Sequence, residues 1–154
     1  MIQIPEQHRP KAAWIAICIG CVSGAEGLRQ TAYRDVGGIP TLCYGETKNI
    51  HMGQTATKAE CTEWLGDRVE EFGRGVDACT TVTMPPKRKA AMVDFAYNVG
   101  TGNYCKYIAP QINAGKTADA CDHLTHFTKA AGIELPGLVS RREKERALCM
   151  EDLS

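Results

Sequence analysis

The sequence has no net charge, no internal repeat and no long apolar span, and each absence removes a class of protein. Its 154 residues include 18 Lys and Arg and 18 Asp and Glu, so the formal charge is zero. Nucleic-acid-binding domains usually have a basic surplus, so we expect no nucleic-acid partner. Basic residues do cluster at 87–89 and 141–146. Such clusters are either solvated helix faces or one wall of a cleft for a polyanion.

Support for a metal centre is also lacking. Cys18-x-x-Cys21 has no second CxxC motif, and its apolar surroundings lack a redox βαβ context. Cys121, His123 and His126 lie close together, but no fourth ligand follows at a recognisable spacing. We therefore expect no metal and no cofactor. The eight cysteines indicate disulfides and an oxidising compartment instead.

The longest uncharged stretch covers residues 12–25 and has two interpretations. At this length it is short for a membrane span, so the first interpretation is a buried helix. Because Arg9 and Lys11 precede it, the stretch also resembles an uncleaved export or membrane-release signal. In that case the N-terminal helix would associate transiently with a membrane.

Glu26 follows this stretch directly, and helical spacing would place it on an apolar stripe. Ile15, Ile19, Val22 and Glu26 are spaced i, i+4, i+7 and i+11. A desolvated carboxyl at the negative end of a helix dipole keeps its proton more readily, as a general acid must. Taken alone, the stretch favours the simpler alternative, in which Glu26 turns to solvent as the helix ends.

A Gly-Gly pair at 37–38 between two short strands predicts a β-hairpin. A two-residue loop would put Asp35 and Thr41 on opposite faces of the hairpin. A three-residue loop over 37–39 would pair Asp35 directly with Thr41 on one face. If the two side chains act together, we expect the wider turn or a bulge.

The rest of the chain is predicted to be helical. Thr57-x-x-Glu60 is a capping box, and it begins a helix of about twenty residues that could span about 30 Å and connect two lobes. Ser140-x-x-Glu143 predicts a second capping box, after a loop over 132–139. The intervening helices are predicted at 85–100, 104–113 and 117–127. The pattern is α+β, mostly α, with one small sheet near the start.

Three stretches together form a familiar pattern. Glu26, Asp35 and Thr41 have the spacing Glu-x8-Asp-x5-Thr, and FAYNVGTG and LPGLV-x-RRE follow at 95–102 and 135–143. In this order, and with the helix and hairpin context above, they resemble the phage-type lysozymes of glycoside hydrolase family 24. The resemblance covers about residues 14–150.

The resemblance implies a single lysozyme-like catalytic domain over 1–154. Its N-terminal lobe, about 12–56, would hold the small β-hairpin, and the helix 57–77 would connect it to a helical C-terminal lobe, about 77–154. The implied function is that of an endolysin muramidase, which hydrolyses the β-1,4 bond between N-acetylmuramic acid and N-acetylglucosamine in peptidoglycan and lyses the host. Such an enzyme is made in the host cytoplasm, acts in the periplasm or on the cell wall, and is expected to be a monomer.

The family's catalytic roles transfer to three residues. Glu26 would be the general acid that protonates the leaving oxygen. Asp35 would stay ionised, to stabilise the oxocarbenium-like transition state or to activate water. Thr41 would hold that water through its hydroxyl, an arrangement that suits an inverting mechanism.

Three further residues are candidate substrate contacts. Many family members have Gly-His after the second strand, where this chain has Gly-Glu, so Glu46 would add a carboxyl near the cleft. Asn98 follows the family's pattern of a polar residue that faces the cleft. Arg141 or Arg142, at the start of the last helix, would pair with the Glu26 region or face solvent.

The family context also suggests how the cysteines pair. The expected disulfides are Cys43–Cys61, Cys79–Cys105 and Cys121–Cys149. Cys18 and Cys21 lie three positions apart on one helix, where a disulfide would be strained, so we expect both to be free. Some relatives use cysteine exchange near the catalytic segment to stay inactive until they leave the membrane, so a redox switch is a further hypothesis.

Two other functions compete with the muramidase. A lytic transglycosylase acts on the same polymer but needs one acid and no water-activating partner, so Asp35 and Thr41 count against it. A wall-binding module that kept the fold without activity would not need all three catalytic positions.

Overall fold

Helices build most of the structure, a computed structural model that describes residues 12–151. About 63% is helical, and the strands of the described part form two two-stranded antiparallel sheets, so the predicted α+β, mostly α class is confirmed. The elements are α1 (Ala13–Glu26), β1 (Arg29–Arg34), β2 (Pro40–Cys43), α2 (Lys58–Cys79), α3 (Pro86–Val99), α4 (Thr101–Asn103), a π-helical segment (Tyr104–Ile108), α5 (Ala109–Asn113), α6 (Thr117–His123), a 3-10 turn (Leu124–His126), β3 (Lys129–Ala130), β4 (Ile133–Glu134) and α7 (Pro136–Met150).

The uncharged stretch forms α1, which packs against α3 and α2. Ile15, Cys18 and Val22 are its buried residues, whereas Ile19 is only partly buried. The helix ends at Glu26, because Gly27 adopts φ +72°, a conformation that favours glycine. Among residues 12–151, no helix has the length and hydropathy of a membrane span. The basic pair at 9 and 11 lies outside the described residues.

The capping box at the start of α2 is present. The Thr57 hydroxyl accepts a hydrogen bond from the Glu60 N–H, and Glu60 Oε1 accepts one from the Thr57 N–H, both at 3.1 Å. The helix runs to Cys79, two residues beyond the predicted end, and its 22 residues span about 33 Å. Leu65 and Val69 are among the apolar side chains that it buries against the core.

The hairpin has the wider, three-residue turn that we expected, but neither of the two predicted registers. Tyr33 lies opposite Thr41, and the Asp35 N–H donates to the Ile39 carbonyl, so the three-residue loop is 36–38 rather than 37–39. The reason is local: Asp35 Oδ1 accepts the N–H groups of Gly37 and Ile39 and so fixes the turn one residue earlier. Since Asp35 and Tyr33 share a face, Asp35 and Thr41 are diagonal neighbours on one face.

The predicted start of the last helix is wrong. The segment expected to be a loop over 132–139 contains β4 and the first turn of α7, which begins at Pro136. Proline suits this first position because its fixed φ is helical. It has no N–H group, and an N–H at this position would find no acceptor within the helix. Ser140 therefore lies inside the helix and its side chain caps nothing. The two residues between β3 and β4, Ala131 and Gly132, both have positive φ, as a tight hairpin turn requires.

The helix predicted over 104–113 also differs. It begins earlier, at Thr101, and it has π-helical geometry from Tyr104 to Ile108. Pro110 lies two residues beyond Ile108 and cannot donate a backbone hydrogen bond, so the regular pattern is interrupted near this point. The stretch over 117–127 ends its α-helix at His123 and continues as a single 3-10 turn.

Three disulfides connect the elements, in the pairs that the resemblance implies. Cys43–Cys61 joins β2 to the start of α2, Cys79–Cys105 joins the end of α2 to the π-helical segment, and Cys121–Cys149 joins α6 to α7. The remaining cysteines, 18 and 21, are free.

Trp14 fastens the start of α1 to the middle of α2. Its ring packs so closely over Gly73 that a Cβ at Gly73 would lie 2.3 Å from Trp14 Cη2. Lys89 from α3 covers the ring, with Nζ 4.5 Å from its centroid, and pairs with Asp77 at 2.9 Å. Gly73 is therefore required by close packing, and not by its backbone conformation.

Replacing Gly73 by alanine tests this contact. Although alanine favours a helix by about 1 kcal/mol over glycine, Gly73→Ala should lower the free energy of unfolding by about 1–3 kcal/mol, because the added methyl overpacks the Trp14 site. Gly20→Ala is the control, since nothing lies within 4 Å of a Cβ there, and it should be stabilising. Urea unfolding of both variants gives the comparison, and equal stabilisation would contradict the packing role.

Candidate active site

The carboxyl of Glu26 meets a guanidinium from the other end of the chain. Arg141 Nη1 donates to Glu26 Oε1 at 2.6 Å, although 115 positions separate the two residues. The side chain of Arg141 is 8% exposed and that of Glu26 is 27% exposed. Arg141 was expected either to pair with the Glu26 region or to face solvent, and in the structure it pairs with Glu26. Neither interpretation of Glu26 describes the structure fully, because its side chain is 27% exposed and is bound to a cation instead of lying on a buried apolar stripe.

Arg141 has a second and closer-fitting partner in Asp94 of α3. Its Nε and Nη2 groups donate to the two Asp94 oxygens, at 3.2 and 2.8 Å. Asp94 is buried, with 2% exposure. Asp94 was not among the predicted site residues, although the sequence contains a signal for it. Asp94 is the one acidic residue in the apolar stretch 90–96 of α3, and a buried charge needs a partner.

Arg142, the next residue of α7, is fully buried beside this pair. Its Nε lies 2.6 Å from Glu145 Oε1, and its guanidinium lies 5.1 Å from the centroid of the Phe95 ring. Its Nη2 donates to Asn98 Oδ1 at 2.9 Å. Asn98, predicted to contact substrate, lines a cavity but uses its carbonyl oxygen inside the protein.

The pKa values of the two buried carboxyls in this cluster shift in opposite directions. Burial and the adjacent Asp94 raise the pKa of Glu145 to about 10. Burial acts in the same direction on Asp94, but hydrogen bonds from Glu145 and Arg141 and the charge of Arg141 outweigh it, so the pKa of Asp94 is lower than usual. At neutral pH Asp94 is therefore the ionised carboxylate and the principal counter-charge of Arg141.

The turn after β2 approaches Glu26 from the opposite side. A Cβ on Gly45, which has φ +86°, would lie 3.7 Å from Glu26 Oε2. The Tyr97 hydroxyl donates to the Tyr44 carbonyl at 2.7 Å and holds this turn against α3. Burial, together with the charges of Glu26 and Glu46, raises the pKa of Tyr97, so its hydroxyl keeps the proton that it donates.

Glu46 is not a free carboxyl near the cleft, as the sequence suggested. Its Oε2 accepts a hydrogen bond from Arg68 Nε at 2.7 Å, and its Oε1 accepts the Lys48 N–H at 2.9 Å. Arg68 also pairs with Glu71 on α2. The ion pair therefore ties the turn after β2 to α2, near the Cys43–Cys61 disulfide.

Asp35 and Thr41 are held by backbone groups of their own hairpin. The backbone N–H groups of Gly37 and Ile39 both donate to Asp35 Oδ1, at 2.8 and 2.9 Å. No described residue donates to Asp35 Oδ2. The Thr41 hydroxyl donates to the Ile39 carbonyl at 2.8 Å, so its lone pairs are left to accept hydrogen bonds from a water molecule.

One cavity is lined by Glu26, and a second lies at the Gly45 turn. One, of about 650 Å³, is enclosed by α1, α3 and α7 and has Glu26, Asn98, Arg141 and Cys21 on its walls. The other, of about 380 Å³, has Gly45 and Tyr97 among its lining residues. Within residues 12–151, no group of three or more His, Cys, Asp or Glu side chains could hold a metal ion.

The free cysteines are poor nucleophiles in this structure. Burial raises the pKa of Cys21 to about 11, and that of Cys18 is raised further. Thiol exchange requires the thiolate, so the environment of both residues opposes the redox-switch hypothesis in this conformation.

Comparisons with known proteins identify the family of the chain. The Phage lysozyme family model matches residues 23–145. Over 129 residues the chain is 40% identical to the SAR-endolysin of Bacteriophage PS119, which covers 82% of this chain and 77% of that protein. The active form of the P1 phage endolysin Lyz superposes with a TM-score of 0.79 at 26% identity, over 94% of this chain and 96% of that one.

A further solved structure supports the fold alone. The endolysin of Escherichia coli O157:H7 phage FAHEc1 has a TM-score of 0.81 at 24% identity and covers 96% of both chains. The family model and the curated relative together support a hydrolase that lyses peptidoglycan. Because the model covers most of the chain and matches the segment that contains Glu26, Asp35 and Thr41, the chain belongs to the phage lysozyme family.

Proposed function

We propose that this lysozyme hydrolyses the β-1,4 bond between N-acetylmuramic acid and N-acetylglucosamine, with Glu26 as the general acid. The observation that supports this role is the unequal environment of the two Glu26 oxygens. Oε1 is bound to Arg141, whereas Oε2 has no donor among the described residues and lies beside the Gly45 turn. A proton on Oε2 is therefore available to the leaving oxygen of a bound glycan.

Asp35 and Thr41 complete the proposed reaction. Asp35 stays ionised and uses Oδ2 to stabilise the oxocarbenium-like transition state or to activate water. Thr41 positions that water through the lone pairs of its hydroxyl. Since both side chains lie on one face of the hairpin, they could hold one water together. A water between acid and base suits an inverting enzyme, whose carboxyls stand roughly 6.5–9.5 Å apart.

The biological setting is also part of the proposal. Several curated relatives are named SAR-endolysins of phages. By analogy we assign the chain to lysis of the bacterial host at the end of the phage cycle, with synthesis in the host cytoplasm and action in the periplasm or on the cell wall. The single domain would act as a monomer, with its cleft between the two lobes, and α1 would contact the membrane only transiently.

Replacing the acid should nearly abolish turnover. Glu26→Gln removes the transferable proton, so the rate of peptidoglycan clearing should fall by about 10²–10⁴-fold, while circular dichroism shows an intact fold. Glu63→Gln, on the exposed side of α2, is the matched control and should clear peptidoglycan at the wild-type rate. Clearing by Glu26→Gln at that same rate would show that another group is the acid.

The products distinguish hydrolysis from transglycosylation. Mass spectrometry of digested peptidoglycan should show muropeptides with reducing ends, each with one ¹⁸O atom when the reaction runs in labelled water. An inverting enzyme should release the α-anomer first, which proton NMR can follow before mutarotation. If the products have 1,6-anhydro ends and no label, the enzyme is a transglycosylase, and the roles given to Asp35 and Thr41 are incorrect.

A further inference from the structure

Arg141 divides its hydrogen bonds unequally between two carboxyls. Two of its nitrogens, Nε and Nη2, donate to Asp94, whereas only Nη1 donates to Glu26. A two-point pairing of guanidinium and carboxylate is stronger and more directional than a single bond. Asp94, which is buried and ionised, therefore sets the orientation of the guanidinium, and Glu26 receives the one N–H group that remains.

This division matters because a guanidinium next to a general acid opposes its function. A cation within hydrogen-bond distance stabilises the carboxylate and so discourages protonation. Asp94 limits the effect in two ways. Its negative charge offsets that of Arg141, and its two-point contact prevents Arg141 from turning to bind both oxygens of Glu26.

We propose that Asp94 is a positioning residue for the reaction, which holds Arg141 so that Glu26 stays oriented by one hydrogen bond and keeps the proton that it donates. The inference rests on the proposed role of Glu26 as the acid. This arrangement explains how Glu26 can act as an acid although the buried Arg141 is bound to it. It also gives a function to a buried charge on α3 that makes no contact with Glu26 in the hydrogen-bond network of the described residues.

The other titratable groups around the pair do not replace Asp94. Glu145 Oε2 lies 4.0 Å from Arg141 Nε, while its Oε1 lies 2.6 Å from Arg142. The charge of Glu46 is matched by Arg68. Of the remaining neighbours, Lys144 is exposed to solvent. Cys18, Cys21 and Tyr97 are neutral near pH 7, because the ordinary pKa values of cysteine and tyrosine lie above 7 and burial raises each further.

The test is the ionisation of Glu26 in the Asp94→Asn variant. The asparagine is nearly isosteric, but it is neutral, and its amide NH₂ group cannot accept from Arg141. Carbon NMR of protein labelled at the glutamate carboxyls should show the titration midpoint of Glu26 lowered by about one pH unit. The high-pH limb of the rate of peptidoglycan hydrolysis should move down with it, because Glu26 then loses its proton at a lower pH.

Two control variants test whether the shift in the Glu26 midpoint is specific to the charge of Asp94. Asp122→Asn also removes a carboxylate from an arginine, since Asp122 pairs with Arg146 at the surface, and it should leave both the midpoint and the pH profile unchanged. Asp94→Glu retains the charge, so its pH profile should stay close to that of the wild type even if the rate falls. If Asp94→Asn does not fold in a thermal melt, the smaller Asp94→Ser replaces it with the same expectation.

Each outcome has a distinct meaning. An unchanged Glu26 midpoint in a folded variant without the Asp94 charge would overturn the positioning role. A lowered midpoint with an unmoved rate profile would support the role of Asp94 on Glu26, but would show that Glu26 is not the acid. A lowered midpoint and a lowered high-pH limb, with neither change in Asp122→Asn, is the result that we expect.

Discussion

The active site depends on one buried guanidinium. Arg141 stands between the end of α1 and the middle of α3, and its donors are shared by Glu26 and Asp94. Removing such a group from water is costly unless carboxylates surround it. The charge of Arg141 therefore requires α1, α3 and α7 to meet at one point, and that point is beside the proposed acid.

The opposite wall of the site is held by different means. The Cys43–Cys61 disulfide and the Glu46–Arg68 ion pair both tie the end of β2 and its turn to α2. The hydrogen bond from Tyr97 to the Tyr44 carbonyl then joins this turn to α3. As a result, Gly45 lies close to Glu26, and its φ of +86° is a conformation that favours glycine.

Features that depend on neighbours in the sequence could be predicted well. The apolar periodicity and Gly27 define α1, and the pair Thr57 and Glu60 fixes the start of α2. Predictions failed where a local preference had a competitor. The last helix, α7, begins at Pro136, earlier than the Ser140 capping pattern suggested. The Asp35 carboxylate moves the hairpin loop by one residue, because its hydrogen bonds to the N–H groups of Gly37 and Ile39 outweigh the Gly-Gly signal.

The sequence by itself determined the spacing of Glu26, Asp35 and Thr41, the helix boundaries set by caps and glycine, and the family that these residues indicate. Only the tertiary structure decided what surrounds Glu26, the proposed acid. Arg141 is 115 positions away from Glu26 and Asp94 is 47 away from Arg141, so their contacts follow from how α1, α3 and α7 pack together. Hydrogen bonds from Arg141 and Glu145, which no sequence pattern reports, then keep the pKa of Asp94 low despite its burial, whereas burial and the adjacent Asp94 raise the pKa of Glu145.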